Sequence, residues 1–199
     1  MTDDGYIKFH CHWTEGPPVR TQLVTELNRW RQRLCRASLI GYSSELQSSY
    51  GNLSARARDA REFIITGTQT GNVPTLAADH YTLVTDYDIS GNSVFCRGPI
   101  QASSETLTHA GVYELDKAFR AVVHGHHKSL WESLRYKIPT TRDNVSYGTS
   151  EMAGEFHRLY LETDLAQGRI VVMGGHEAGL VSFGESVAEA AQRLLQAVI

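Results

Sequence analysis

The stretch Ala121-Val122-Val123-His124-Gly125-His126-His127-Lys128-Ser129-Leu130-Trp131 runs three apolar residues into three histidines within four positions. A short apolar run of this kind reads as a buried strand. In extended backbone, positions i and i+2 project to one face. His124 and His126 then share one side of a strand end. His127 faces away and reads as the start of a helix leading to Trp131. Two imidazoles on one side can hold a metal ion, and a catalytic zinc takes three protein ligands. An HxH pair alone is a weak signal, and ordinary surface or hydrogen-bonded histidines are the alternative. The best third ligand is His176 in VVMGGHEAGL, which also follows a short apolar run. If the two runs are neighbouring strands, the three rings meet at one edge of a sheet.

Outward from this stretch the chain alternates strands and helices. Leu23, Leu27, Trp30 and Leu34 recur at helical spacing, with Glu26, Arg29, Arg31 and Arg33 on other faces. Residues 62–66, 81–88, 93–97, 169–173 and 180–183 read as strands, and Ser90-Gly91-Asn92 as a hairpin turn. Ser103-Ser104-Glu105 opens a helix through about Ala118, because serine accepts the orphan amide hydrogens of a first turn. Thr149-Ser150-Glu151 opens another, and residues 185–198 close the chain as a helix. This alternation, with a hairpin, predicts a mixed sheet covered by helices. Residues 1–18 read as an N-terminal arm ending at Pro17-Pro18, and 19–199 as one domain. His10-Cys11-His12 repeats the HxH spacing, but near a terminus without a partner, and reads as an edge strand. His80, His109 and His157 read as structural.

Composition narrows the function classes. The net charge is −3 and no basic run occurs, which argues against a nucleic-acid partner held by a positive surface. Three widely spaced cysteines without a CxxC form no disulfide framework and suit a reducing compartment. No signal peptide and no membrane-length apolar run is evident, so a soluble cytoplasmic protein is expected.

Other stretches suit an anionic ligand. Ser103 and Ser104 at a helix start offer hydroxyls beside unpaired amides, and Glu105 next to them could serve as acid or base. A plain N-cap is the alternative. Gly51-Asn52, in GNLSAR, and Gly67 to Gly71, in ITGTQTG, read as loops able to aim amides at a phosphate, or as ordinary turns. Neither has the P-loop or dinucleotide spacing.

In order, GNLSAR, IITGTQTG, SSET, AVVHGHH, YGTSEM and VVMGGHEAGLVSFG resemble the class II aldolase/adducin family, which includes fuculose-phosphate and rhamnulose-phosphate aldolases and ribulose-phosphate epimerase. The resemblance runs from about Leu23 to the C-terminus. It implies a three-layer α/β/α sandwich around a central mixed, mainly antiparallel sheet, commonly in tetramers. It implies His124, His126 and His176 as ligands of Zn2+ or another divalent transition metal, and Glu105 as catalytic acid/base. It implies a substrate phosphate pocket at Gly51, Asn52, Thr70, Gly71, Ser103 and Ser104. The activity implied is reversible aldol cleavage of a small phosphorylated hydroxy-ketone, or joining of its aldehyde, through a metal-bound enediolate. Epimerisation or dehydration of a related sugar phosphate, or a non-catalytic adducin-like interaction module, are the alternatives. Glutamate rather than aspartate at 105 leans toward aldol cleavage. Three departures stand out. Glu177-Ala178 intervene after His176, the segment from Ile138-Pro139 to Tyr147-Gly148 is short, and a C-terminal tail that carries a tyrosine in some members is missing.

Overall fold

A computed structural model describes residues 5–56 and 61–198. The first four residues of the expected arm therefore lie outside the described residues. Strand β1 (His10–Glu15) is followed by helix α1 (Gln22–Arg36), the hairpin β2 (Gly41–Ser43) and β3 (Ser48–Tyr50), then β4 (Asn52–Arg56) and β5 (Phe63–Thr66). β6 (Tyr81–Asp88) and β7 (Ser93–Gly98) precede α2 (Thr106–Leu115), β8 (Ala121–His126) and α3 (Lys128–Leu134). α4 (Ser150–Glu162), the single turn α5 (Leu165–Gly168), β9 (Ile170–Val172), β10 (Gly179–Gly184) and α6 (Val187–Ala197) complete the chain. Eight strands form one sheet in the order β1-β7-β6-β5-β4-β8-β10-β9. Only β1 and β7 run parallel; every other pair is antiparallel. This is the expected three-layer sandwich.

The side chains of β8 show how the layers separate. Ala121 and Val123 join a core with Leu27, Leu34 and Leu194 from α1 and α6. Val122 points the other way, into a core with Leu107, Phe156 and Leu159 from α2 and α4. The period of two continues through His124 and His126, which therefore face the α2/α4 side. Gly125 faces α6, where a Cβ would lie 2.9 Å from Leu194 Cδ2 and 3.0 Å from the Leu39 carbonyl oxygen. The glycine between the histidines is thus required by packing behind the strand.

Several boundaries follow from named caps. Thr21 Oγ1 accepts the Leu23 amide at the start of α1, Thr149 Oγ1 accepts Met152 N at α4, and Ser186 Oγ accepts Glu189 N at α6. His127 does begin α3: its Nδ1 accepts the Leu130 amide. The HCH segment is the edge strand β1, with His10 and His12 exposed and His12 stacked on Phe95. Among the described residues no helix is long and apolar enough to cross a membrane.

Three expectations are corrected. Asn52 is not part of a loop; it begins β4, a fully buried strand between β5 and β8. Its polar residues mislead because Ser54 hydrogen-bonds His109 Nδ1 and Tyr113 Oη beneath the sheet, both at 2.7 Å. α2 ends at Leu115, short of Ala118, since Asp116 turns extended and its carboxylate takes the Ala118 amide. Arg31 is not on an outer face of α1: it is 1% exposed, between Leu27 and Leu34 on the buried stripe.

Candidate active site

β8 and β10 are antiparallel neighbours with Gly179 opposite His126. His176 sits in the turn that enters β10. That turn is tight: His176 N donates to Met173 O, and Gly179 N donates to His176 O. Gly174 and Gly175 let it lie on the 141–145 segment, where a Cβ would come within 2.2 Å of the Thr141 and Val145 carbonyl oxygens respectively. The additional Glu177-Ala178 forms the outside of the turn, with Ala178 at φ +64.

One ring nitrogen from each of His124, His126 and His176 lies within 4.8 Å of the other two. His126 Nε2 and His176 Nε2 face each other at 2.9 Å. Burial, then the neighbouring His126 and His176, holds His124 well below the usual histidine range. Burial brings His126 down to about 4. Burial, then His126 and Lys8, also holds His176 well down. All three rings are therefore neutral near pH 7, the form that offers a lone pair to a metal.

The donor set fits an ion. His124 Nε2 is buried without a hydrogen-bond partner among the described residues, as is Asn52 Oδ1. The Asn52 amide lies 3.2 Å from His124 Nδ1. Turning that amide so that Oδ1 accepts Nδ1–H satisfies the oxygen and leaves Nε2 with its lone pair in the cleft. A ligating histidine is usually held in this way by an acceptor on its other nitrogen. Three clustered, neutral imidazoles with one so oriented suit a divalent transition metal.

Glu105 stands at the N-cap of α2 and is 2% exposed. Its Oε1 is 3.7 Å from His176 Nε2, and Thr108 Oγ1 donates to its Oε2 at 2.6 Å. Ser103 does not cap the helix amides in the expected way; its hydroxyl accepts Glu105 N at 3.4 Å and its carbonyl takes Thr106 N.

One cleft gathers every residue singled out from the sequence. Gly51, Asn52, Thr70, Gly71, Ser103, Ser104, Glu105, His124, His126 and His176 all line it, around a volume of about 410 Å3 that includes its open mouth. Several are engaged locally, among them Asn52 with His124, Ser103 with the Glu105 amide, and Thr70, whose hydroxyl donates to Gly67 O at 2.9 Å. Gly51 has φ +76, the left-handed turn that brings β3 into β4.

Sequence reading missed several contributors. Tyr147 lies tilted against His176 with ring centres 4.6 Å apart, and Tyr50 stacks on His126 at 5.3 Å. Gly148, at φ +66, lets this segment lie on Ser104, where a Cβ would be 2.1 Å from the carbonyl oxygen. The YGTSEM motif held that signal, since a glycine after an aromatic suggests a close approach. Gln69 Oε1 accepts the Ser49 amide across the cleft rim. Arg31 Nη2 donates to Thr70 O at 2.8 Å and Gly71 O at 3.3 Å, tying the 67–71 loop to α1. Its place between Leu27 and Leu34 was the clue.

The sequence pattern of the Class II Aldolase and Adducin N-terminal domain matches residues 32–198. The chain belongs to the class II aldolase and adducin family. Solved members share its fold at low identity. An L-fuculose 1-phosphate aldolase superposes with a TM-score of 0.65 at 16% identity, over 91% of this chain and 85% of that one. The L-fuculose-1-phosphate aldolase of Thermus thermophilus gives 0.64 at 20% identity, over 90% of each chain. A sugar-phosphate aldolase from Thermotoga maritima gives 0.66 at 17% identity, over 89% of this chain and 90% of that one. Among curated proteins none matches this chain. Within the family's sandwich, the cleft opens where β4, β8 and the β9–β10 turn meet the start of α2.

Proposed function

We propose that this class II aldolase and adducin family member is a metal-dependent lyase that reversibly cleaves a small sugar phosphate by a retro-aldol reaction. The observation that carries the reading is the meeting of three neutral imidazoles with a buried carboxylate, Glu105 Oε1 being 3.7 Å from His176 Nε2. The names of the solved relatives, fuculose- and sugar-phosphate aldolases, support the substrate class.

His124, His126 and His176 would hold the ion, zinc or another divalent transition metal. When bound, such an ion supplies Lewis acidity that stabilises negative charge on a substrate carbonyl oxygen. Glu105 moves the proton. As carboxylate it takes a proton from the substrate on one pass and returns it on the other, and Thr108 Oγ1 fixes which oxygen faces the cleft. Ser103, Ser104, Gly51 and the 67–71 loop bind the phosphate, with Arg31 bracing Thr70 and Gly71 from behind. That grip sets the reacting carbon against Glu105. Asn52 belongs as much to His124 as to the phosphate.

We assign the protein to the cytoplasm, as a homo-oligomer, with a tetramer favoured by the family. The free thiols Cys11, Cys35 and Cys96 suit a reducing compartment.

Metal analysis and turnover together test the reading. Protein purified without added metal should carry a stoichiometric ion, and His176→Ala should lose it. Glu105→Gln should keep the ion while turnover of dihydroxyacetone phosphate with an aldehyde panel falls by about 10²–10⁴. Full turnover in Glu105→Gln would remove that residue from the mechanism. A site without metal in gently handled protein would favour the non-catalytic interaction module.

A further inference from the structure

The family pattern begins at residue 32, so the arm carrying β1 lies outside it. The arm nevertheless reaches the cleft. β1 fixes it to the sheet edge through six pairs, from His10 opposite Ser93 to Glu15 opposite Gly98. Before β1 the chain passes over the cleft mouth. Gly5, at φ +85, lines the cleft, and Gln69 Nε2 donates to its carbonyl at 3.5 Å. Tyr6 N donates to Tyr147 Oη at 3.2 Å. Lys8 Nζ lies 3.7 Å from the centre of the Tyr147 ring, which also lies against His176. The arm therefore touches two walls, the 67–71 loop and Tyr147.

A second cavity shares His126, Tyr147 and His176 with the cleft and adds Lys8. Lys128, Glu45 and Glu177 also line it. Lys128 is paired with Glu177 at 2.8 Å. This inference rests on the sugar-phosphate reading. In that reading one half of the substrate carries its phosphate toward Ser103 and Ser104. The other half then lies beyond the histidines, on the side of Tyr147 and Lys8. A half-buried ammonium interacts with an anion more strongly than one in bulk water, and it discriminates against a neutral group of the same size.

We infer that the N-terminal arm is a specificity element, in which Lys8 binds an anionic group, phosphate or carboxylate, at the end of the substrate remote from the first phosphate. The preferred substrate is then a doubly anionic ketose rather than a ketose monophosphate with a neutral tail.

Calorimetric titration of the intact, metal-loaded protein tests this without requiring turnover. Fructose 1-phosphate, fructose 1,6-bisphosphate and the 6-carboxylate analogue of the monophosphate are the probes. The wild type should bind one dianionic-ended or carboxylate-ended probe about tenfold or more tighter than the monophosphate, the size of one charge-assisted hydrogen bond. Whichever is preferred identifies the anion. Lys8→Met should bring the gap to within about twofold, and Lys8→Arg should keep most of it. Equal affinities in the wild type, or a gap that survives in Lys8→Met, would overturn the role of Lys8 and leave the phosphate cleft standing. Failure of all three probes to bind metal-loaded protein would instead sink the sugar-phosphate reading, and this inference with it.

Discussion

Acid should weaken this fold through His109, one turn into α2 from Glu105. The ring is fully buried. Its Nδ1 meets Ser54 Oγ at 2.7 Å, and its Nε2 has no hydrogen-bond partner among the described residues. A proton on this ring would gain no acceptor at Nε2. Burial alone brings the group from 6.5 down to about 3. Between those values the unfolded chain binds a proton that the folded chain refuses. Stability is then full above about pH 6.5, falls as pH drops, and the penalty levels off below about pH 3. Each unit inside the window costs about 1.4 kcal/mol. At about pH 5 the loss relative to pH 7 is about 2 kcal/mol, or about 4–8 °C in Tm for a chain of this size. His109→Gln keeps a polar partner for Ser54 and cannot titrate. Denaturant unfolding of both proteins at saturating metal, from pH 7 to pH 4, isolates the term, because other groups change alike in each. The wild type should lose about 2 kcal/mol more than the variant on reaching about pH 5. Parallel losses would refute the reasoning, since they would mean the folded ring accepts its proton without penalty.

Two further variants have expected outcomes. Gly51→Ala places a Cβ 2.7 Å from Ile40 Cγ1 and 2.8 Å from the Leu39 carbonyl at a φ of +76, and should cost about 1–3 kcal/mol in a thermal or urea melt. Arg31→Met leaves the Thr70 and Gly71 carbonyls without their buried donor, and should destabilise by about 1–3 kcal/mol. In kinetics with a phosphorylated substrate the same variant should raise KM more than it lowers kcat, because the loop it braces is the one proposed to grip the phosphate.

Strand β8 was legible because its determinants are local. A run of β-branched residues, a period of two and a following N-cap need no information from the rest of the chain. The same holds for α4 and α6, whose capping hydroxyls sit at fixed offsets from the helix. β4 was not legible. Asn52, Ser54 and Arg56 look like loop residues until His124, His109 and Tyr113 are brought beneath them, since a polar side chain can be buried only where a distant partner satisfies it. Arg31 misled for the same reason, its partners being the carbonyls of Thr70 and Gly71 some forty positions away.

The amino-acid order by itself determined much of the succession of strands and helices, β2 to β4 excepted, the two-residue spacing that turns His124 and His126 to one side, and the candidate ligands and base. The tertiary structure alone decided that β10 lies beside β8, bringing His176 to the pair, and that α2 begins where Glu105 meets them. It alone laid the N-terminal arm across the cleft, with Lys8 on Tyr147. Local order sets backbone geometry over a few residues. Which distant segments become neighbours depends on burying both faces of the sheet at once, a property of the whole chain.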